Sequence, residues 1–139
     1  MPQYGSDFSG VSLGNELWRS RFTPALSQLS TSPSQRRIWV GDVDGDGVPE
    51  VLFGRRDVVP SNEQELICYS VDGRERWRFV PGKTVLTGEA EYPPSYGIHW
   101  LDVTKVNGQT VIAVSAYQYP YAPSHVALLN SQGKVLGEY

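Results

Sequence analysis

Apolar and polar positions alternate along this chain in short runs, without a sustained helical period. IWVG (38–41), VLF (51–53), LICYS (66–70) and RWRFV (76–80) are rich in β-branched and aromatic residues. Gly, Pro, Asp and Asn bound them, which is the signature of strands. The pattern predicts four short strands over these runs. Between the last two lies Val71-Asp72-Gly73, a strong hairpin signal because Gly accepts the positive φ that tight turns need. Few ten-residue windows lack Gly, Pro or a β-branched cluster, so long helices are not expected.

The pattern repeats. Shifted by sixty positions, Asp42-Val43 falls on Asp102-Val103, and Val51-Leu52-Phe53 on Val111-Ile112-Ala113. LICYS falls on VALLN (126–130), and Gly73 on Gly133. A partial copy lies upstream, where Gly14-Asn15-Glu16-Leu17-Trp18-Arg19 matches Gly73-Arg74-Glu75-Arg76-Trp77-Arg78. Fixed-period self-similarity points to a repeat architecture. Four antiparallel strands per repeat describe β-propeller blades. The expected fold is therefore all-β, with about two full blades plus one or more extra N-terminal strands. Residues 1–35 read as a partial blade, with a strand near 13–19 and a Ser-rich connector. Residues 36–81 read as a blade with its acidic loop at 42–50. Residues 82–139 read as a connector and a second blade with a degenerate loop at 102–110. The equivalent Trp18 and Trp77 are expected to pack between repeats rather than against a cofactor.

Composition narrows the function classes. The chain has 139 residues, 40% of them hydrophobic, which suffices for one packed domain. A net charge of -3 and a pI near 5.3 argue against nucleic-acid binding, which favours a clearly basic surface. No apolar run has the length of a membrane span. The first residues show no basic and apolar leader, although a chain starting after a removed signal would look the same. Cys68 is the only cysteine, so no internal disulfide is expected and cysteine usage is silent on compartment.

The densest chemistry is GDVDGDGVPEVLFG (41–54). Carboxylates stand at loop positions 1, 3, 5 and 9: Asp42, Asp44, Asp46 and Glu50. Alternate side chains of a curled loop can converge on one point, and Gly45 and Gly47 permit the curl. Oxygen-only ligands suit Ca²⁺, and the Val48 carbonyl can add a backbone oxygen. An EF-hand is excluded, because its twelfth position needs a bidentate Glu and here is Phe53. A glycosidase pair is excluded, because its carboxyl groups face each other across a cleft. A solvated Asp-Gly turn without metal is the remaining alternative.

This stretch resembles the calcium loop of FG-GAP and VCBS-type repeats of integrin-like propellers. The resemblance implies Asp42, Asp44, Asp46, Glu50 and the Val48 carbonyl as Ca²⁺ ligands. Gly54 matches the first residue of that family's Gly-Ala-Pro, but Arg55-Arg56 replace the rest. LICYSVDGRERWRF also resembles blades of quinoprotein-like propellers. The resemblance covers 36–80 well and 96–139 weakly. In the second copy only Asp102 is kept and Lys105 is added, so a turn without metal is expected there.

Strand geometry puts the longer connections at the opposite end. There the expected ligand-facing residues are Arg36, Arg37, Arg55, Arg56, Tyr92, Tyr96, His99, Tyr117, Tyr119 and Tyr121. Arginine forks and aromatic faces suit a glycan or an acidic ligand. The competing reading has the tyrosines packing the loops and the arginines solvated. His99 and His125 are too few for a histidine metal site or a catalytic triad. Two blades do not close a ring, so a homo-oligomer or the remainder of a longer propeller is the expected partner. The expected role is a calcium-stabilised scaffold or binding module, more consistent with no enzyme than with one. Its location is extracellular or at the cell surface. The alternative is a fragment of a secreted calcium-dependent polysaccharide lyase.

Overall fold

The computed structural model describes residue 18 and residues 36–55, 64–94, 96–118 and 123–139. The strand expected near 13–19 therefore lies outside the described residues, apart from Trp18. Arg56, Tyr119 and Tyr121 also lie outside them.

Ten strands are described, in three separate antiparallel sheets. The first sheet runs in the order β1 (Ile38–Gly41), β2 (Glu50–Gly54), β3 (Leu66–Tyr69), β4 (Glu75–Phe79). A small ribbon pairs β5 (Val85–Leu86) with β6 (Glu91–Tyr92). The other four-stranded sheet joins β7 (Gly97–Val106), β8 (Gln109–Tyr117), β9 (Ser124–Leu129) and β10 (Val135–Glu138), again in chain order. The four strands expected over 38–80 thus form with ends displaced by a residue or so. Turn chemistry explains their order: Gly73 takes φ 82° between β3 and β4, and Gly133 φ 75° between β9 and β10.

Register places the core. Trp39, Leu52, Cys68 and Trp77 stand opposite one another across the first sheet and so share one face. In the second sheet Leu101, Val114 and Ala127 form one such row, and Val103, Ile112 and Leu129 the next. These faces meet in one cluster in which Leu52, Cys68, Leu101, Ile112, Val114, Ala127 and Leu129 are almost fully buried. Trp77 closes the junction. Its indole N–H donates to the Ser131 carbonyl at 3.0 Å. Its ring covers Gly133 so closely that a Cβ there would lie 2.5 Å from it. Trp18 sits over Gly73 in the same way, with its ring 5.1 Å from Tyr69. The sixty-residue match therefore corresponds to a repeated tryptophan-on-glycine contact.

The propeller expectation is corrected by this architecture. Among the described residues no sheet closes into a ring or barrel, and the backbone of the large sheets pairs only in the isolated parallel β-bridge Arg36–Trp100. The chain is an all-β domain of separate sheets. The repeat also breaks down locally. An irregular loop separates β1 from β2, whereas β7 and β8 pair continuously from Leu101–Val114 to Val106–Gln109. Residues 102–106, expected in a degenerate loop, continue strand β7. Asn107 (φ 51°) and Gly108 (φ 77°) then make a two-residue hairpin turn. Alternation and turn residues govern strand pairing within a sheet. They carry no information on how many sheets gather or whether they close.

Candidate metal centre

The acidic loop occupies residues 42–49, between β1 and β2. Its backbone curls through Gly45 and Gly47, both at φ 86°. No nearby atom crowds either glycine, so backbone conformation alone requires them. The carboxylates direct the curl. Asp42 accepts the Gly45 N–H at 2.6 Å through Oδ1 and the Gly47 N–H at 2.9 Å through Oδ2. Asp44 accepts the Asp46 N–H at 3.1 Å, and Asp46 accepts the Val48 N–H at 2.7 Å. These are successive Asx turns, the local chemistry that Asp offers a loop.

Glu50 opens β2 and is 2% exposed. Its Oε2 accepts the Val43 N–H at 2.9 Å. Val43 is fully buried, and its carbonyl accepts the Thr110 hydroxyl at 2.6 Å. The loop is thereby pinned at its base to both large sheets.

Asp42, Asp44 and Glu50 each direct an oxygen into one cluster, with those oxygens within 4.8 Å of one another. Asp46 is not part of that cluster, and Val48 is exposed. Sequence reasoning missed Arg76. From the start of β4, its Nη2 reaches Asp44 Oδ2 at 2.7 Å and its Nη1 reaches Glu50 Oε1 at 2.8 Å. The signal was present: the 42–49 and 70–74 turns share one end of the first sheet, so the first residues of β4 stand beside the loop. The guanidinium holds the Asp44 carboxyl below the usual carboxylate range, against an opposing effect of burial. The same contact raises Arg76 above its ordinary value.

An oxygen-only set of three converging carboxylates is hard-cation chemistry and fits a divalent ion such as Ca²⁺. At 4.8 Å and an effective dielectric of about 20, each carboxylate pair repels by roughly 3 kcal/mol. Arg76 brings one positive charge to three negative ones, so the cluster retains an excess of negative charge for a cation to offset.

The described residues among those expected at the far end have varied surroundings. Arg36 pairs with Asp102 at 3.2 Å. Arg37 is half-buried, and its carbonyl accepts the Gly54 N–H at 2.7 Å. Arg55 is 4% exposed, and its N–H bonds to the Glu65 carbonyl. Tyr92 lies on the β5–β6 ribbon. Tyr96 is 1% exposed and donates its hydroxyl to the Lys83 carbonyl at 2.7 Å. His99 packs against Tyr117 in a tilted arrangement, with ring centroids 4.6 Å apart and planes at 55°. Tyr96 and Arg55 thus belong to the interior, and Arg36 to an ion pair.

No family model, curated protein or solved structure matches this chain. The expected membership in FG-GAP, VCBS or quinoprotein-like propellers is corrected accordingly. A loop of spaced aspartates and glycines can arise wherever a β-hairpin must curl, so the motif alone does not carry a family. The propeller-module and lyase readings fall with it. Arg76, the basic residue beside the carboxylates, is committed to ion pairs with two of them. Among the described residues no helix is long and apolar enough to cross a membrane.

Proposed function

We propose that this chain is an all-β scaffold domain whose β1–β2 loop takes a calcium ion on Asp42, Asp44 and Glu50. The convergence of three carboxylate oxygens within 4.8 Å carries the reading. Asp46 and the Val48 carbonyl are the remaining loop oxygens available to complete a shell of six to eight. The ion would lock a loop already tied to Glu50, to Thr110 and to Arg76. Its role is structural: it offsets carboxylate repulsion and couples the junction of the sheets to free Ca²⁺. A site with the affinity of extracellular calcium modules, about 10⁻⁴ to 10⁻³ M, would fill outside the cell or at its surface, where the domain is proposed to work.

The scaffold's partner is proposed to be a second copy, through the outer face of the second sheet. There Trp100, Ser115 and Val126 align across the strands, and Val126 exchanges backbone hydrogen bonds with Tyr139. Trp100 is 42% exposed and Tyr139 80%, which leaves two large aromatic side chains open to a partner beside the Arg36–Asp102 ion pair. A light-scattering mass equal to one chain at high concentration would remove the self-association.

The calcium reading is tested by thermal melting in chelator and in added Ca²⁺ or Mg²⁺. Ca²⁺ is expected to raise the melting temperature. Mg²⁺, which demands near-octahedral geometry and dehydrates reluctantly, is expected to do less. A melting temperature indifferent to both ions would overturn the proposal.

A further inference from the structure

The segment joining β4 to β7 (residues 80–96) carries the β5–β6 ribbon and is fastened at a few points. The Tyr96 N–H donates to the Pro81 carbonyl at 2.9 Å, and the Tyr96 hydroxyl to the Lys83 carbonyl at 2.7 Å. Gln118 reaches the Pro93 carbonyl at 2.9 Å. Lys83 pairs with Glu138 of β10, and a further tie is unusual. The Gly82 N–H donates to Nδ1 of His125, on β9, at 3.0 Å. His125 is 5% exposed. Gly82 has φ 100°, and a Cβ there would lie 2.4 Å from the Tyr96 ring, so the segment is pressed onto that ring.

We propose that His125 is a neutral latch that holds residues 80–84 against the second sheet and releases them when it is protonated. A histidine nitrogen that accepts an N–H carries no proton. The latched imidazole is therefore the Nε2–H tautomer. Protonation puts a hydrogen on Nδ1, so two donors face each other and the Gly82 bond is lost. Water cannot readily replace it at so buried a position.

The groups facing the ring set where this happens. Glu138, from β10, places Oε1 3.5 Å from Nε2 and favours the charged form. The Lys83 ammonium pairs with the other oxygen of Glu138 and disfavours it. Tyr96 presents its ring edge-on at 6.3 Å, with its hydroxyl committed to Lys83. On β8 the residue opposite is the uncharged Ala116. Burial is the largest influence and pushes His125 below its ordinary value, outweighing Glu138. The sign follows: a depressed value means that the latch contributes fully above about pH 6.5 and is lost as pH falls below it. Release loosens the backbone at Gly82 while the Tyr96 and Lys83 ties remain, a local opening rather than global unfolding.

The test is an NMR titration of the intact chain from neutral to mildly acidic pH. The imidazole nitrogen shifts report the tautomer, and hydrogen exchange reports protection of the Gly82 amide. The expected result is an Nε2–H tautomer that titrates below about pH 6.5. Gly82 protection is expected to fall about tenfold in the same step, as for one lost hydrogen bond, while Val114 on β8 stays protected. His125→Asn, whose amide oxygen accepts at any pH, is expected to keep Gly82 protected through the acid step. Gly82 protection that ignores the titration of His125 would overturn the latch. So would an Nδ1–H tautomer at neutral pH, or loss of Val114 protection in the same step.

Discussion

Replacing Arg76 by alanine separates the two ways in which this fold can neutralise its acidic loop. In the intact chain the guanidinium bridges Asp44 Oδ2 at 2.7 Å and Glu50 Oε1 at 2.8 Å. Glu50 is 2% exposed, but the Arg76 side chain is 37% exposed. Breaking a fully buried pair costs about 3–5 kcal/mol, and an exposed one about 0–1 kcal/mol. The mixed burial places the loss between them, at about 2 kcal/mol without calcium. For 139 residues, an unfolding entropy near 2.1 cal/mol/K per residue converts this to a melting temperature lower by about 7 °C. Calcium should restore it. With Arg76 gone, both carboxylate oxygens are free to bind the ion, and binding at a hundredfold excess over Kd contributes about 2.7 kcal/mol. The intact chain should gain less, because the ion must first displace the guanidinium. The assay is calorimetric melting of both proteins in chelator and in saturating Ca²⁺. Equal calcium shifts in the two proteins would refute the competition between Arg76 and the ion.

Two further outcomes follow from packing. Gly133→Ala should destabilise by about 1–3 kcal/mol, since it places a Cβ 2.5 Å from Trp77 at a backbone φ of 75°; urea unfolding followed by tryptophan fluorescence measures it, and a change below the error of the fit would contradict the packing described. The Cys68 thiol is fully buried, and burial pushes it up to about 12, so a thiol reagent near pH 8 should label it only at the rate of unfolding. Fast labelling of the native chain would contradict the core.

Strand existence and pairing were legible because they rest on local chemistry. Ile38–Gly41 was placed to the residue, and the Asp72-Gly73 turn announced the β3–β4 hairpin. The convergence of Asp42, Asp44 and Glu50 was legible from their spacing in one loop. Arg76 was not, since it reaches the loop from 32 positions away in sequence through a shared sheet end. Residues 102–106 were read as loop because the sixty-residue alignment overrode the narrower turn signal that Asn107-Gly108 carries by itself. Among the described residues expected to face a ligand, Tyr96 and Arg55 proved to be interior. Tyr96 and Arg55 have long stems that bury readily, so residue type alone did not say which were exposed. Closure into a ring depends on packing between sheets, which the repeat suggested and the described strands do not display.

Calcium binding to the β1–β2 loop is the central claim, and isothermal titration of the intact, chelator-stripped chain with CaCl₂ addresses it directly. One saturable site is expected, with a Kd of about 10⁻⁴ to 10⁻³ M, abolished by the double substitution Asp42→Asn and Asp44→Asn. Absence of saturable binding up to roughly 10 mM, well beyond that range, or binding unchanged in the double variant, would contradict it.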